Sequence, residues 1–188
     1  MKTNSSVQPL TDELLVEEII KTKDTSLFGD LYDRYSKIVY NKCYSFTNNV
    51  DEAKDLAQDI FLKLYINLGK CKYVSKFSAW LYVFTYNHCV NYITREQSKK
   101  IENKSVPIED ERLLIDHDDN SLFQLKVDKL KEALELIEPD EKMILLLKYQ
   151  DDIKIKELVT IMELSESAVK MRLKRAKGKL IKKYNEIQ

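Results

Sequence analysis

The sequence DEAKDLAQDIFLKLYINL, residues 51–68, places apolar side chains at the spacing of an α-helix. Asn49, with Glu52 three residues later, provides a start signal for this helix. The apolar side chains share one broad face that we expect to be buried; it comprises Ala53, Leu56, Ala57, Ile60, Phe61, Leu64 and Leu68. The stretch therefore predicts an amphipathic helix that packs in the core of a domain.

The opposite face of this helix is acidic at its start and apolar at its end. It comprises Asp51, Asp55, Gln58, Asp59, Leu62 and Ile66. We interpret it as a docking surface for a partner helix, because acidic groups can orient a partner and leucine or isoleucine can be buried against it. The pattern equally allows Leu62 and Ile66 to pack beneath a neighbouring helix of the same domain.

The composition indicates an all-α protein. Of the 188 residues only 3 are glycine and 3 are proline, fewer than a Rossmann fold, a P-loop enzyme or a β-sandwich with many turns would use. Hydrophobic residues make up 44% of the chain, which is enough to form a core. The 3 cysteines are widely spaced, so we expect free thiols and neither a disulfide framework nor a zinc site.

The sequence also favours a cytoplasmic location. No apolar run approaches the roughly 20 residues that a membrane span requires. The first residues carry Asp12, Glu13, Glu17 and Glu18, which is not typical of a secretory signal.

A charged stretch containing Pro107 interrupts the helical pattern after residue 97. Within 105–120, six acidic residues and one arginine give a net charge of −5. We interpret this break as a flexible acidic linker between two helical domains. The predicted boundaries are 1–26 for an N-terminal segment with a short helix, 27–97 for the first domain, 98–126 for the linker and 127–188 for the second domain.

The end of the chain has helix-turn-helix spacing. The helical segment IKELVTIM is followed by Glu163-Leu164-Ser165 and then by a long helix from Glu166, for which Ser165 is a suitable N-cap. Residues 166–188 hold eight basic and two acidic side chains, a net charge of +6. The packing stripe comprises Val169, Leu173, Ala176 and Leu180, and a basic face lies opposite. Such a helix suits the DNA major groove, although a solvated basic C-terminal helix has the same composition.

A third feature is the aromatic helix predicted at about 78–95, which is apolar on both sides. The loop before it, GKCKYVSKFS, carries three lysines and Tyr73. Aromatic rings beside basic residues can stack on unpaired bases. Sandwiching of the helix between other helices is the alternative reading of the same pattern.

Taken in this order, the three features resemble an extracytoplasmic-function (ECF) sigma factor of bacterial RNA polymerase. DEAKDLAQDIFLKLY is similar to the core-polymerase-binding stretch of sigma region two, and FSAWLYVFTYNHCVNYITR to its promoter-melting stretch. ELVTIMELSESAVKMRLKRAKGKL is similar to the helix-turn-helix of region four. The chain departs from the family pattern at five positions, which are Tyr86, Asn91, Thr94, Ser167 and Ala168.

The resemblance implies a sigma factor that binds core polymerase, directs it to promoters and promotes melting. The clamp helices of the polymerase would contact Asp51, Asp55, Gln58, Asp59, Leu62 and Ile66, and region four would meet the flap. The minus-ten element would contact Lys70, Lys72, Tyr73, Lys76, Tyr82, Tyr86, Asn87 and Arg95. The minus-thirty-five element would contact Ser167, Ala168, Lys170, Met171, Arg172, Lys174 and Arg175. The acidic linker would pass through the polymerase cleft.

The resemblance further implies an anti-sigma partner, a monomer when free, and no enzyme activity, cofactor, metal or small-molecule substrate. The alternative is a helix-turn-helix repressor or activator whose first domain senses a ligand or dimerises. That alternative explains 127–188 equally well but leaves the outer face of 51–68 without a role.

Overall fold

A computed structural model describes residues 10–72, 74–102 and 121–187, without the side chains of 100–102 and 121–125. All regular structure within these ranges is helical, so the predicted all-α class is confirmed. The chain divides into two compact units, Met1–Cys89 and Val90–Gln188. The α-helices are α1 (Asp12–Thr22), α2 (Thr25–Thr47), α3 (Val50–Asn67), α4 (Phe77–Glu102), α5 (Ser121–Glu135), α6 (Pro139–Leu145), α7 (Ile155–Ile161) and α8 (Glu166–Glu186).

Helix boundaries in the first unit follow capping residues. Thr11, Asp24 and Asn49 each accept a backbone N–H bond in the first turn of α1, α2 and α3. Helix α2 ends at Asn48, which adopts the left-handed conformation with φ of 51°. These tight connections fold α1, α2 and α3 back on one another.

The core of the first unit is built on the long helix α2. All of the apolar residues predicted for the inner face of α3 are buried. Helix α4 packs on α2 through an edge-to-face contact of Tyr35 with Phe77, and through Phe46 against Tyr86. The Sγ atoms of Cys43 and Cys89 lie 4.0 Å apart in the same interface. All three cysteines are buried free thiols, as the sequence predicts.

Helix α1 closes one side of this unit. Its Leu15, Val16 and Ile19 are buried. Asp12 accepts a hydrogen bond from Tyr35 and forms a 2.7 Å ion pair with Arg34 of α2. Burial, and then the bond to Asp12, raise the pKa of Tyr35. The predicted short helix within 1–26 is therefore present, and residues 1–9 lie outside the described ranges.

Helix α4 is longer than the sequence predicts. It continues past Arg95 to Glu102. Its last turns contain good helix formers and no glycine or proline. Lys99 pairs with Glu96 at 2.6 Å, and the Ser98 hydroxyl donates to the Thr94 carbonyl. These local bonds extend the helix into the stretch predicted as linker. The acidic part of that linker, 105–120, lies outside the described residues.

The second unit packs its helices around α8, which contacts α5, α6 and α7. Pro139 occupies the first turn of α6, where a proline is tolerated, and a π-helical turn continues α6 over Leu146–Gln150. Leu147, Leu158 and Val169 are fully buried between these elements. The α7–α8 connection contains Glu163 at φ of 53°, and Ser165 caps α8 by accepting from the Ala168 N–H.

Among the described residues, no helix combines the length and the apolar character that crossing a bilayer requires.

Candidate functional site

The outer face of α3 carries two large apolar side chains that are open to solvent. Leu62 is 68% exposed and Ile66 is 77% exposed. No helix in the described part of the chain covers them, which rejects the alternative that they pack beneath a neighbour in the same domain. A single exposed leucine or isoleucine is ordinary. Two such side chains on adjacent turns of one helix form a patch that a partner can bury.

The acidic part of the same face lies on the first turns of α3. Asp51, Asp55 and Gln58 are exposed. The Asp51 carboxylate lies 3.5 Å from the Lys54 ammonium. The helix dipole also stabilises an acidic residue in the first turn, whether or not a lysine is nearby. Asp59 is half-buried and pairs with Lys63 at 2.5 Å. Among the described residues Asp55 forms no ion pair, so its full charge is available to a partner.

The predicted minus-ten residues lie on the turns before α4 and along α4 itself. Lys70, Lys72, Asn87 and Arg95 are exposed, and Lys76 is half-buried. Tyr82 is half-buried. Tyr73 lies outside the described residues.

Tyr86 departs from the expectation for a DNA contact. It is fully buried, and its ring packs against Phe46 of α2 with centroids 5.7 Å apart. In this conformation its hydroxyl is directed to Lys42, which donates to it at 3.2 Å. Tyr86 is thus a core residue, because the face of α4 that carries it packs on α2.

Lys42 is a residue that the sequence reasoning missed. It is 3% exposed, and its ammonium lies 4.0 Å from the ring centroid of Tyr82 and 4.6 Å from that of Tyr86. The available signal was its position in the α2 sequence. It falls on the buried stripe of that helix, together with Tyr35, Val39, Cys43 and Phe46.

A ladder of rings occupies another side of α4. Trp80 stacks on Phe84 at 5.2 Å, and Phe84 meets the edge of His88 at 4.6 Å. Burial lowers the pKa of His88, and Lys63 lowers it further while Asp59 opposes the shift. These rings are half-buried, so the helix is only partly sandwiched.

The outer face of α8 presents the predicted minus-thirty-five residues. Ser167, Lys170, Met171, Arg172, Lys174 and Arg175 are exposed, and Ala168 is half-buried. Val169, Leu173 and Ala176 are buried against the other helices, which fixes the opposite face outward. The Ser165 and Ser167 hydroxyls lie 3.0 Å apart at the start of the helix.

The cations of α8 fall into two groups. Lys170 pairs with Glu166 at 2.5 Å, and this bond lowers the pKa of Glu166. Lys179 pairs with Glu141 of α6 at 2.5 Å. Within the described residues Arg172, Lys174 and Arg175 form no ion pair. Their charge is therefore available for an anionic partner along the exposed middle of the helix.

Family models match both units. The first, described as Sigma-70 region 2, matches residues 31–99. The second, described as Sigma-70, region 4, matches residues 128–180. The chain belongs to the sigma-70 family of RNA polymerase sigma factors. It is accordingly a sigma factor, a protein that directs RNA polymerase to promoters.

Relatives support the same family along most of the chain. The ECF RNA polymerase sigma factor SigW of Bacillus subtilis is 26% identical over 187 residues, covering 89% of this chain and 94% of the relative. The ECF RNA polymerase sigma factor SigM of the same organism is 29% identical over 166 residues, covering 83% and 94%.

Two solved structures share the fold of this sigma factor. The sigma factor RpoE of Bartonella quintana, in complex with the anti-sigma factor NepR, matches with a TM-score of 0.61 and 18% identity, covering 86% of this chain and 98% of that one. CnrH in complex with the cytosolic domain of CnrY matches with a TM-score of 0.63 and 19% identity, covering 94% and 99%.

Proposed function

We propose that this sigma factor works through three separate surfaces, one for the polymerase and two for promoter DNA. The outer face of α3 binds the clamp helices of core polymerase. The turns before α4 and the surface of α4 hold the minus-ten element open. The outer face of α8 reads the minus-thirty-five element while region four meets the flap.

The exposed pair Leu62 and Ile66 carries the polymerase part of this proposal. An apolar patch is best buried by another protein, whereas DNA offers mainly phosphate to a surface that it approaches. Asp51 and Asp55 at the start of the same face add a negative charge that repels DNA and orients a basic or mixed protein surface.

The surface around α4 suits an unpaired strand. Lys70, Lys72 and Arg95 can neutralise phosphates, and Asn87 can hydrogen-bond a base edge. Tyr82 provides a ring for stacking, and each base stacked on an aromatic side chain contributes about 1–3 kcal/mol. Captured bases would drive duplex opening, because they are available only when the strands separate.

The middle of α8 suits a duplex. Arg172, Lys174 and Arg175 are exposed and form no ion pair with any described residue. Ser167 and Met171 are exposed in the preceding turns of the same helix, as short or flexible contacts for base edges. On its own, each of the two DNA-binding surfaces would bind DNA weakly. Attachment of both units to one polymerase makes the second contact intramolecular, with an effective concentration on the order of millimolar.

The remaining properties follow from this mode of action. We propose that the protein acts in the cytoplasm as a monomer, by binding rather than by catalysis, and without a cofactor. The two structural relatives are held by an anti-sigma factor or a cytosolic partner domain. We propose a partner of the same kind for this chain.

Run-off transcription tests the proposal. Core polymerase without any sigma factor would be given fragmented genomic DNA, with this protein or with its Leu62→Asp variant. We expect discrete start sites that require the unaltered protein and are lost with the variant. Absence of start sites, together with dimeric binding to duplex DNA without polymerase, would instead establish the repressor alternative.

A further inference from the structure

Lys42 is a charged group inside the interface between α2 and α4. Its side chain is 3% exposed, on a helix stripe whose other members are apolar or aromatic. Burial of an ammonium is unfavourable unless nearby groups replace its water. Two tyrosines of α4 provide that replacement, Tyr86 through its hydroxyl and ring and Tyr82 through the face of its ring.

The two tyrosines differ in what they can reach. They are four residues apart and therefore lie on the same side of α4. Tyr86 is fully buried, so it is held by the core. Tyr82 is half-buried and reaches the surface among the predicted minus-ten residues. One ammonium contacts both rings, which links a ring fixed in the core to a ring at the surface.

We propose that Lys42 is a positioning residue for promoter melting, holding the Tyr82 ring in the orientation that stacks on an unpaired base. This rests on the proposed function of Tyr82 as a minus-ten contact. A cation over one face of a ring restricts its rotation, and a ring fixed before binding loses less conformational freedom when a base stacks on it. Lys42 itself does not touch DNA in this proposal.

A double-mutant cycle in the assembled holoenzyme tests the proposal. The variants are Lys42→Met, which keeps the length of the side chain without its charge, Tyr82→Ala, and both together. The promoter would be the strongest start site from the run-off experiment, with 2-aminopurine in the melted segment. The fluorescence increase then measures the rate of strand opening.

We expect Lys42→Met to slow opening on the order of tenfold when Tyr82 is present. In the Tyr82→Ala background the same change should alter the rate less than about twofold, because no ring remains to be positioned. Affinity for core polymerase should stay unchanged in every variant. A purely structural role of Lys42 would instead slow opening equally in both backgrounds, and that result would overturn the proposal.

A conservative pair of variants covers the case in which Lys42→Met fails to fold. Tyr86→Phe removes only the hydroxyl that accepts the Lys42 hydrogen bond, and Lys42→Arg retains a cation. We expect Tyr86→Phe to slow opening to a smaller extent, again only when Tyr82 is present, and Lys42→Arg to keep most of the rate. An opening rate that Tyr86→Phe leaves unchanged would overturn the proposal in that case.

Failure of the proposed function gives a different result. If Tyr82→Ala alone leaves the opening rate unchanged, Tyr82 is not a minus-ten contact, and both ideas are rejected together. If Tyr82→Ala slows opening while the Lys42 effect is additive to it, Tyr82 keeps its role and only the positioning by Lys42 is rejected.

Discussion

The outer faces of α3 and α8 are both exposed on amphipathic helices, yet they are chemically opposite. The α3 face joins acidic residues to two apolar side chains that are 68% and 77% exposed. The α8 face joins arginine and lysine to small or flexible residues, with Met171 at 53% exposed. The α3 face suits burial against protein, and the α8 face suits contact with phosphate. The side-chain chemistry of the two faces therefore indicates two different kinds of partner.

The two faces also differ in how their charge is used within the chain. On α3 the acid nearest the apolar pair, Asp59, is already paired with Lys63. On α8 the paired cation Lys170 lies in the first turns. Arg172, Lys174 and Arg175, which form no ion pair with a described residue, follow it. We infer that affinity comes mainly from apolar burial on α3 and mainly from charge on α8. Three substitutions test that difference, and a fourth tests the stability of the first unit.

Leu62→Asp should have the largest effect. It places a carboxylate in the middle of the surface that we propose for the polymerase. Such positions cost about 2 kcal/mol or more, which would weaken binding at least about thirtyfold. Fluorescence anisotropy of the labelled sigma factor with core polymerase measures this affinity.

Leu14→Asp is the matched control for that change. Leu14 is an exposed leucine of α1 in the same unit, at 52% exposure, and it lies outside the proposed surfaces. Its substitution should leave polymerase affinity within about twofold, because surface changes of this kind alter free energies little. Equal losses from both substitutions would contradict the assignment of the α3 face.

Lys174→Ala should have the next largest effect, and on the other face. It removes one cation from α8, so the salt dependence of duplex binding should weaken by about one unit of log–log slope. Holoenzyme titrated with a promoter fragment over a range of salt measures the slope. Lys182→Ala, which removes a lysine near Glu186 on the same helix, is the control and should change the slope less. Loss of polymerase binding with Lys174→Ala would show that α8 is assigned wrongly.

The two faces differ in how well sequence could predict them. The inner and outer sides of α3 and α8 follow from helical periodicity, because each helix has one apolar stripe and buries it. The caps Asn49 and Ser165 are equally local, and both accept the predicted type of bond. For these helices, residues within one or two turns are enough to predict the buried side and the N-cap.

The buried side of α4 could not be predicted in the same way, because this helix is apolar on both sides. Periodicity does not indicate which ring enters the core, and only the resemblance to the sigma family places Tyr86 at the minus-ten element. Its burial is decided by Phe46 and Lys42, which lie about forty residues earlier in the chain. The extension of α4 to Glu102 was missed because its charged end resembles a linker in composition.

Asp55→Asn should have a smaller effect than either change above. Asp55 lies at the edge of the α3 surface, where a charge steers association more than it holds the complex. The association rate with core polymerase should fall about twofold to fivefold at low salt and converge with the unaltered protein at high salt. Stopped-flow mixing at two ionic strengths measures it. A loss that is independent of salt would indicate that Asp55 is buried by the partner like Leu62.

His88 of α4, which lies near the Asp59–Lys63 pair of α3, provides the smallest test. Burial, and then the charge of Lys63, lower the pKa of His88 in the folded chain. In the unfolded chain the pKa of His88 stays at about 6.5. Below that pH the unfolded chain therefore binds a proton more readily, and the free energy of unfolding should fall as pH decreases from about 7 and level off below the folded pKa. His88→Phe keeps a ring and removes this contribution, while the carboxylates titrate in both proteins. Urea unfolding at pH 7.5 and 5.5 should thus show a smaller loss for the variant. Equal losses would mean that His88 gains a proton without cost, and that the ladder is open to water on the side that faces α3.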